Sequence, residues 1–125
     1  MEEGRNLSGI VVRGLQNGRR FGFPTINVRL DADCHWNETG VFAARVTLRN
    51  QSYNGMMYVG TRPTLHLKEK TIEVNLFDFN DDCYDERVSV SVGEKIRGEQ
   101  KFASLDDLIL QLKKDKNEIL QLFAN

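Results

Sequence analysis

Short β-like segments punctuate the chain as far as residue 92, and a helical pattern follows them. In Val41–Arg49, Phe42, Ala44, Val46 and Leu48 fall on one face, with Arg45 and Thr47 on the other. In Thr71–Phe79, Ile72, Val74 and Leu76 oppose Glu73, Asn75 and Phe77. Arg87–Val92 repeats the alternation through Val88, Val90 and Val92. Ser8–Arg13 carries Ile10, Val11 and Val12 and ends at Gly14; Met56–Val59 follows a polar turn at Asn50-Gln51-Ser52 and stops at Gly60. Period-two patterns separated by turn residues predict a small antiparallel barrel or sandwich. One polar face per strand lets a barrel wall carry a site.

The period changes after Ser104. Leu105, Leu108, Ile109, Leu112, Ile119, Leu120 and Phe123 recur at three- and four-residue intervals, an apolar stripe suited to lie against the barrel. Ser104 can cap this helix, with Asp107 at the third helical position. Lys113, Lys114 and Lys116 read as its solvated side.

Composition narrows the picture. A chain of 125 residues, 40% hydrophobic and 28% charged, suits one domain over residues 1–125 with its own core. A net charge of −1 argues against a general nucleic-acid or membrane-surface binder, so any anion site is local. A nucleic-acid-binding barrel would also need an aromatic stacking row among basic residues, which is lacking. Cys34 and Cys83 are too few for a disulfide framework and predict a reduced protein. No apolar run reaches the roughly 18 residues of a membrane span. The polar start is no signal peptide, so a cytoplasmic location is expected. His35 and His66 lack partners at metal-ligand spacing, and Trp36 reads as a packing residue or loop anchor.

The chemistry concentrates in Gly18-Arg-Arg-Phe-Gly-Phe-Pro-Thr-Ile-Asn27. Its glycines allow close backbone approach to an anion, and Arg19 and Arg20 bring fork-shaped donors suited to phosphate. Thr25 and Asn27 offer neutral oxygens of the kind Mg²⁺ accepts beside phosphate and water. If residues 25–27 are extended, both side chains point the same way. The segment therefore reads as a phosphate and Mg²⁺ clasp, with an ordinary Gly-rich turn as the alternative. The chain has neither GxxxxGK[ST] nor a GxGxxG opening a helix, which excludes the commoner nucleotide motifs.

Glu73 is a candidate general base, or else a solvent-facing strand glutamate. Asp78, Asp81, Asp82, Asp85 and Glu86 lack the pattern of an EF-hand and read as an acidic hairpin turn. Gly60-Thr-Arg-Pro-Thr64 reads as a second structured turn. Arg97, ahead of the helix and near Phe102, could hold a charged planar ligand or serve as a surface ion-pair partner.

Leu7-Ser-Gly-Ile-Val-Val-Arg-Gly14, GRRFGFPTIN, Gly40-Val-Phe-Ala, Val59-Gly-Thr-Arg-Pro-Thr, Ile72-Glu-Val-Asn-Leu-Phe-Asp-Phe79 and IRGEQKFASLDDL together resemble the riboflavin kinase (flavokinase) family. The blocks cover nearly the whole chain in the family's order, most like the C-terminal kinase module of bacterial bifunctional FAD synthetases. The resemblance implies a six-stranded antiparallel Greek-key barrel with a C-terminal helix. It also implies transfer of phosphate from ATP to riboflavin, giving FMN and ADP. By position, Thr25 and Asn27 match the proline-threonine-x-asparagine motif that holds Mg²⁺ and the nucleotide phosphates, with Mn²⁺ or Zn²⁺ as alternative ions. Gly14 and Arg19 match the loop over the nucleotide, and Leu76, Asp78 and Tyr84 the adenine and ribose pocket. Glu73 matches the catalytic glutamate, acting on the terminal ribityl hydroxyl; Arg97 and Phe102 match flavin contacts.

There are departures from the family pattern. Ile26 replaces the usual alanine, with its side chain expected to point away from the metal. Gly98 stands where proline is common, and the lead-in to residue 8 is short and lacks a usual tyrosine. No adenylyltransferase module is present, so the chain is expected to make FMN but not FAD, either standing alone as a monomer or as a piece of a longer protein. A barrel that binds flavin or nucleotide without catalysis is the competing expectation; the set Thr25, Asn27 and Glu73 argues against it.

Overall fold

Six strands and one helix follow one another along the chain: β1 Asn6–Val12, β2 Ile26–Leu30, β3 Gly40–Leu48, β4 Gln51–Val59, β5 Thr71–Leu76, β6 Arg87–Arg97 and α1 Leu105–Ala124. The structure, a computed structural model, describes residues 5–13, 23, 25–60 and 71–124. All strand pairings are antiparallel, and the order β1-β2-β5-β4-β3-β6 closes through β6 and β1. Strands β3, β4 and β5 neighbour one another in turn, and β6 returns to lie beside β3, which is the Greek-key arrangement. None of the described helices is long and apolar enough to cross a membrane.

The period-two rows point inward as expected. Phe42, Ala44, Val46 and Leu48 meet Ile72, Val74 and Leu76 and the three valines of β6 in the barrel interior, with Met57 among them. Six strands leave no lumen; the side chains fill it. A second cluster lies outside the wall, where Phe23, Val41, Ala43, Met56 and Phe77 pack beneath Ile119 of α1.

Several boundaries differ from the sequence pattern, each for a local reason. β4 begins at Gln51 rather than Met56, because its first half is exposed or half-buried on both faces and shows no alternation. β6 runs on to Arg97 beyond Val92. Register shifts opposite Val41 and Phe42 mark a bulge there, which breaks the alternation that would reveal the strand. β5 stops at Leu76, and Asp78 turns the chain with φ 61°. Gly40 has φ 133°, and a Cβ there would sit 2.6 Å from the Arg97 carbonyl oxygen, so the start of β3 needs glycine to approach the end of β6.

The β3–β4 hairpin turns on Arg49 and Asn50, both with positive φ (54° and 63°), the geometry that suits the twist of a two-residue hairpin. Arg49 then gathers the acidic loop. Its Nε and Nη2 donate to the two Glu86 carboxylate oxygens at 2.9 and 2.6 Å, Nη1 to Asp81 at 2.6 Å, and Nη2 to the Asp82 carbonyl at 2.7 Å. The acidic cluster is thus a turn wrapped around one guanidinium.

Helix α1 starts as expected, with Ser104 Oγ accepting from the Asp107 amide at 3.1 Å. Its buried line is not the full apolar stripe. Leu105 is 51% exposed and Leu120 40% exposed: Leu105 sits in the first turn, and Leu120 lies about 100° around the helix from Ile119. Asp115, only 1% exposed, occupies the stripe instead. It receives the Arg97 guanidinium, with Nε at 3.0 and 3.1 Å and Nη2 at 2.9 Å from its oxygens, and Gln111 Nε2 at 2.9 Å. Lys116 is not fully solvated either; its ammonium lies 5.0 Å from the Phe77 ring centroid.

Asp115→Ala would leave the mostly covered Arg97 guanidinium without its counter-charge and is expected to cost about 3 kcal/mol. Urea unfolding checks this; a loss within measurement error would show that solvent replaces the pair.

Hydrogen bonds from Arg49 hold the Asp81 and Glu86 carboxyls below their usual range. Lowered folded-state values mean that the unfolded chain takes up protons first. This contribution is therefore complete at neutral pH and fades as pH falls below about 4, through the folded-state values. The gap in urea midpoint between the unsubstituted protein and Arg49→Ala is expected to be widest at about pH 7 and to narrow steadily towards about pH 3. An unchanged gap across that range would exclude the ion pairs as its source.

Candidate active site

Barrel register places Val12, Asn27, Glu73, Tyr58, Val41 and Arg97 in a single row across β1, β2, β5, β4, β3 and β6. Directly opposed residues share a face of the sheet. Val41 packs under the helix, so the whole row faces outward. Asn27 and Glu73 are therefore immediate cross-strand neighbours on the outer wall, with a typical Cβ separation of about 5 Å.

Asn27 is only 6% exposed, although it is polar and lies on the outside. Thr25, just ahead of β2, lines a shallow cleft with it, together with Val12 and the Asp82–Tyr84 segment. The Arg13 guanidinium lies 4.1 Å from the Tyr84 ring centroid, at the rim. The Asp82 carboxylate accepts the Tyr84 amide at 3.3 Å, which fixes this segment against the cleft. Ile26 packs against the interior cluster, on the side opposite Asn27, as its position predicts.

Beyond Glu73 the row continues to Tyr58, whose hydroxyl is 3.4 Å from Glu99 Oε2, long for a hydrogen bond. Burial, then the carboxylates of Glu99 and Glu73, push the Tyr58 phenol up from its ordinary value. Arg97 follows, with its guanidinium 5.7 Å from the Phe102 ring centroid and Nη1 donating to the Gly98 carbonyl at 3.1 Å. Arg97 is an ion-pair partner, but not a surface one: its side chain is 15% exposed.

The structure thus brings Thr25, Asn27 and Glu73 to one patch, Tyr84 to its β1 side, and Arg97 with Phe102 to its α1 side. Leu76 is 5% exposed and points into the barrel core, while Asp78 is an exposed turn residue. Gly14 and Arg19 lie outside the described residues, as do Arg20, the Gly18 and Gly22 pair, Pro24, Thr61-Arg-Pro-Thr64 and His66.

Sequence reasoning missed Arg13, Tyr58, Glu99 and Asp115. Tyr58 sits in an apolar run with no alternation, because Met56 and Met57 are buried on opposite faces there. Asp115 could have been found as the polar residue at the 3-4 spacing between Leu112 and Ile119.

Among the described residues no three His, Cys, Asp or Glu side chains gather as a metal cage. The hydroxyl of Thr25 and amide oxygen of Asn27 are hard, neutral donors. They suit a Mg²⁺ that takes most of its ligands from phosphate and water.

The family model for riboflavin kinase matches residues 2–123. A bifunctional riboflavin kinase/FMN adenylyltransferase of Bacillus subtilis is 38% identical over 122 residues; the match covers 95% of this chain and 39% of that relative. The chain therefore spans about two fifths of that relative's length. Among solved structures, a riboflavin kinase from Trypanosoma brucei superposes with a TM-score of 0.68 at 26% identity, over 96% of this chain and 80% of that one. A Streptococcus pneumoniae chain named as a macrolide-efflux protein superposes with a TM-score of 0.81 at 39% identity, over 90% of this chain and 37% of that one. On the strength of the family match, the paired Asn27 and Glu73, and the closed six-stranded barrel, the chain belongs to the riboflavin kinase family.

Proposed function

We propose that the chain phosphorylates riboflavin, transferring the γ-phosphate of ATP to the 5′-hydroxyl of the ribityl chain to give FMN and ADP. The observation that carries this reading is the cross-strand pairing of Asn27 with Glu73 on the outer wall, with Thr25 beside Asn27 in the same cleft. A carboxylate one strand away from an oxygen pair that would hold the nucleotide's cation is where a hydroxyl acceptor and a nucleotide can be brought in line.

Each residue then has a task. Glu73 accepts the proton of the ribityl hydroxyl as its oxygen bonds to the γ-phosphorus and the bond to the β-phosphate oxygen breaks. Thr25 and Asn27 orient the phosphates and would hold a divalent cation, Mg²⁺ or, in its place, Mn²⁺ or Zn²⁺. Such an ion neutralises the charge that accumulates on the phosphate oxygens. By the family resemblance, Leu76, Asp78 and Tyr84 are assigned to the adenine and ribose, and Gly14 and Arg19 to the loop over the nucleotide. Arg97 and Phe102 bear on the flavin. With Thr25, Asn27 and Glu73 all in place, no observation favours an inactive binding barrel.

The decisive assay combines purified protein, riboflavin, ATP and Mg²⁺ and separates the flavins by chromatography. FMN that forms only with both nucleotide and metal is expected; riboflavin binding without FMN would leave a binding module. Glu73→Gln is expected to keep riboflavin binding and lower kcat by roughly 10²- to 10⁴-fold. A near-normal rate in that variant would remove Glu73 as the base. Asn27→Ala is expected to raise KM for Mg·ATP more than KM for riboflavin; equal rises would point to a folding defect.

A further inference from the structure

We propose that Tyr58 is a specificity-determining residue of the acceptor site, its ring forming the platform on which the planar part of the acceptor rests. The inference deepens the kinase reading and depends on it. Tyr58 is the direct cross-strand neighbour of Glu73 on the outer wall, so its ring begins beside the candidate base. In the same row it is followed by Val41, which is buried under the helix, and then by Arg97. An acceptor reaching from Glu73 towards Arg97 and Phe102 must therefore cross Tyr58.

The ring is also held in place. Its hydroxyl lies 3.4 Å from Glu99, the residue that follows Gly98 beyond β6, so the ring leans along β4 towards the β6–α1 connection. Gly60 makes room for it: a Cβ at that position would sit 2.5 Å from the Tyr58 hydroxyl and 2.9 Å from the ring carbon that bears it. At 36% exposure Tyr58 is partly open to solvent and partly covered. A half-covered, laterally braced aromatic beside a carboxylate offers a fixed flat surface to a conjugated ring system, with little side-chain entropy lost on stacking.

Glu99 and Glu73 both bear on the phenol. As a surface for the ring system, Tyr58 acts on acceptor affinity, not on the phosphoryl-transfer step itself.

Steady-state kinetics with riboflavin and Mg·ATP test this on Tyr58→Phe, Tyr58→Ala and Gly60→Ala. Tyr58→Phe keeps the ring, so KM for riboflavin is expected to stay within about twofold; Tyr58→Ala is expected to raise it about tenfold or more, from the loss of one stacked ring. Gly60→Ala, which displaces the ring without removing it, is expected to fall between these. In all three, KM for Mg·ATP and the thermal midpoint are expected to stay close to those of the unsubstituted protein.

Flavin fluorescence gives a second readout. A phenol in contact quenches an excited flavin by electron donation, and a phenyl ring does so far less. Bound riboflavin is therefore expected to be brighter in Tyr58→Phe at near-unchanged affinity, a signature that a purely structural role would not produce. An unchanged riboflavin KM in Tyr58→Ala, in a protein that still makes FMN, would overturn the platform and leave the kinase reading standing. Equal rises in both KM values, or a fallen thermal midpoint, would overturn it in favour of a structural role. No FMN and no riboflavin binding by the unsubstituted protein would overturn both readings together.

Discussion

Barrel closure is the constraint on which the rest of this structure depends. Once β6 pairs with β1, every strand has two neighbours, and a slip in one pairing would have to be absorbed by the next. Strand side chains alternate faces, so a one-residue slip would exchange the interior valines of β5 and β6 for the polar residues beside them. The interior thereby fixes the exterior. Burying Val28, Ile72, Val74 and Met57 inside leaves Asn27, Glu73 and Tyr58 no choice but to stand together on the outer wall.

This explains what could be read from the chain and what could not. The inward rows of β3 and β5 were legible because one face is apolar and the other is not. The second half of β6 was hidden by its bulge, and β4 by having a wet hairpin end and a dry helix-covered end, neither of which alternates. Glu73 was visible as a strand carboxylate, yet nothing local separates a base from a solvated glutamate. Its place opposite Asn27 is set by register, and register is a property of the closed sheet. Asp115 was hidden for a different reason. An acidic residue among lysines on a helix reads as a solvated face, and its partner Arg97 lies 18 residues earlier in the chain.

The Arg97–Asp115 pair ties the two readings of Arg97 together. Seen as a strut, Arg97 joins the end of β6 to the middle of α1. Seen as part of the site, it is the last member of the row that starts at Val12. A guanidinium whose Nε and Nη2 are committed to a buried carboxylate has few donors left for a ligand, so what it presents outward is mainly its planar face and its charge. The alignment with Phe102 is consistent with that use: a flat cation beside an aromatic ring suits a conjugated ligand better than a phosphate does.

The filled interior also puts the candidate site outside the barrel. With six strands the interior is filled by side chains such as Phe42 and Met57, and no space remains for a substrate. A ligand must then be held by one face of the wall and by whatever packs beside it. On the β1 side that neighbour is the Asp82–Tyr84 segment, braced through the Arg49 knot; on the β6 side it is the connection to α1, braced through Asp115. Two charged struts thus border one row of outward residues, one beside β1 and one beside β6. The neutral donors Thr25 and Asn27 and the carboxylate of Glu73 lie between them. The ion pairs that stiffen the wall thus stand at its edges, and the cross-strand neighbours Asn27 and Glu73 stand between them.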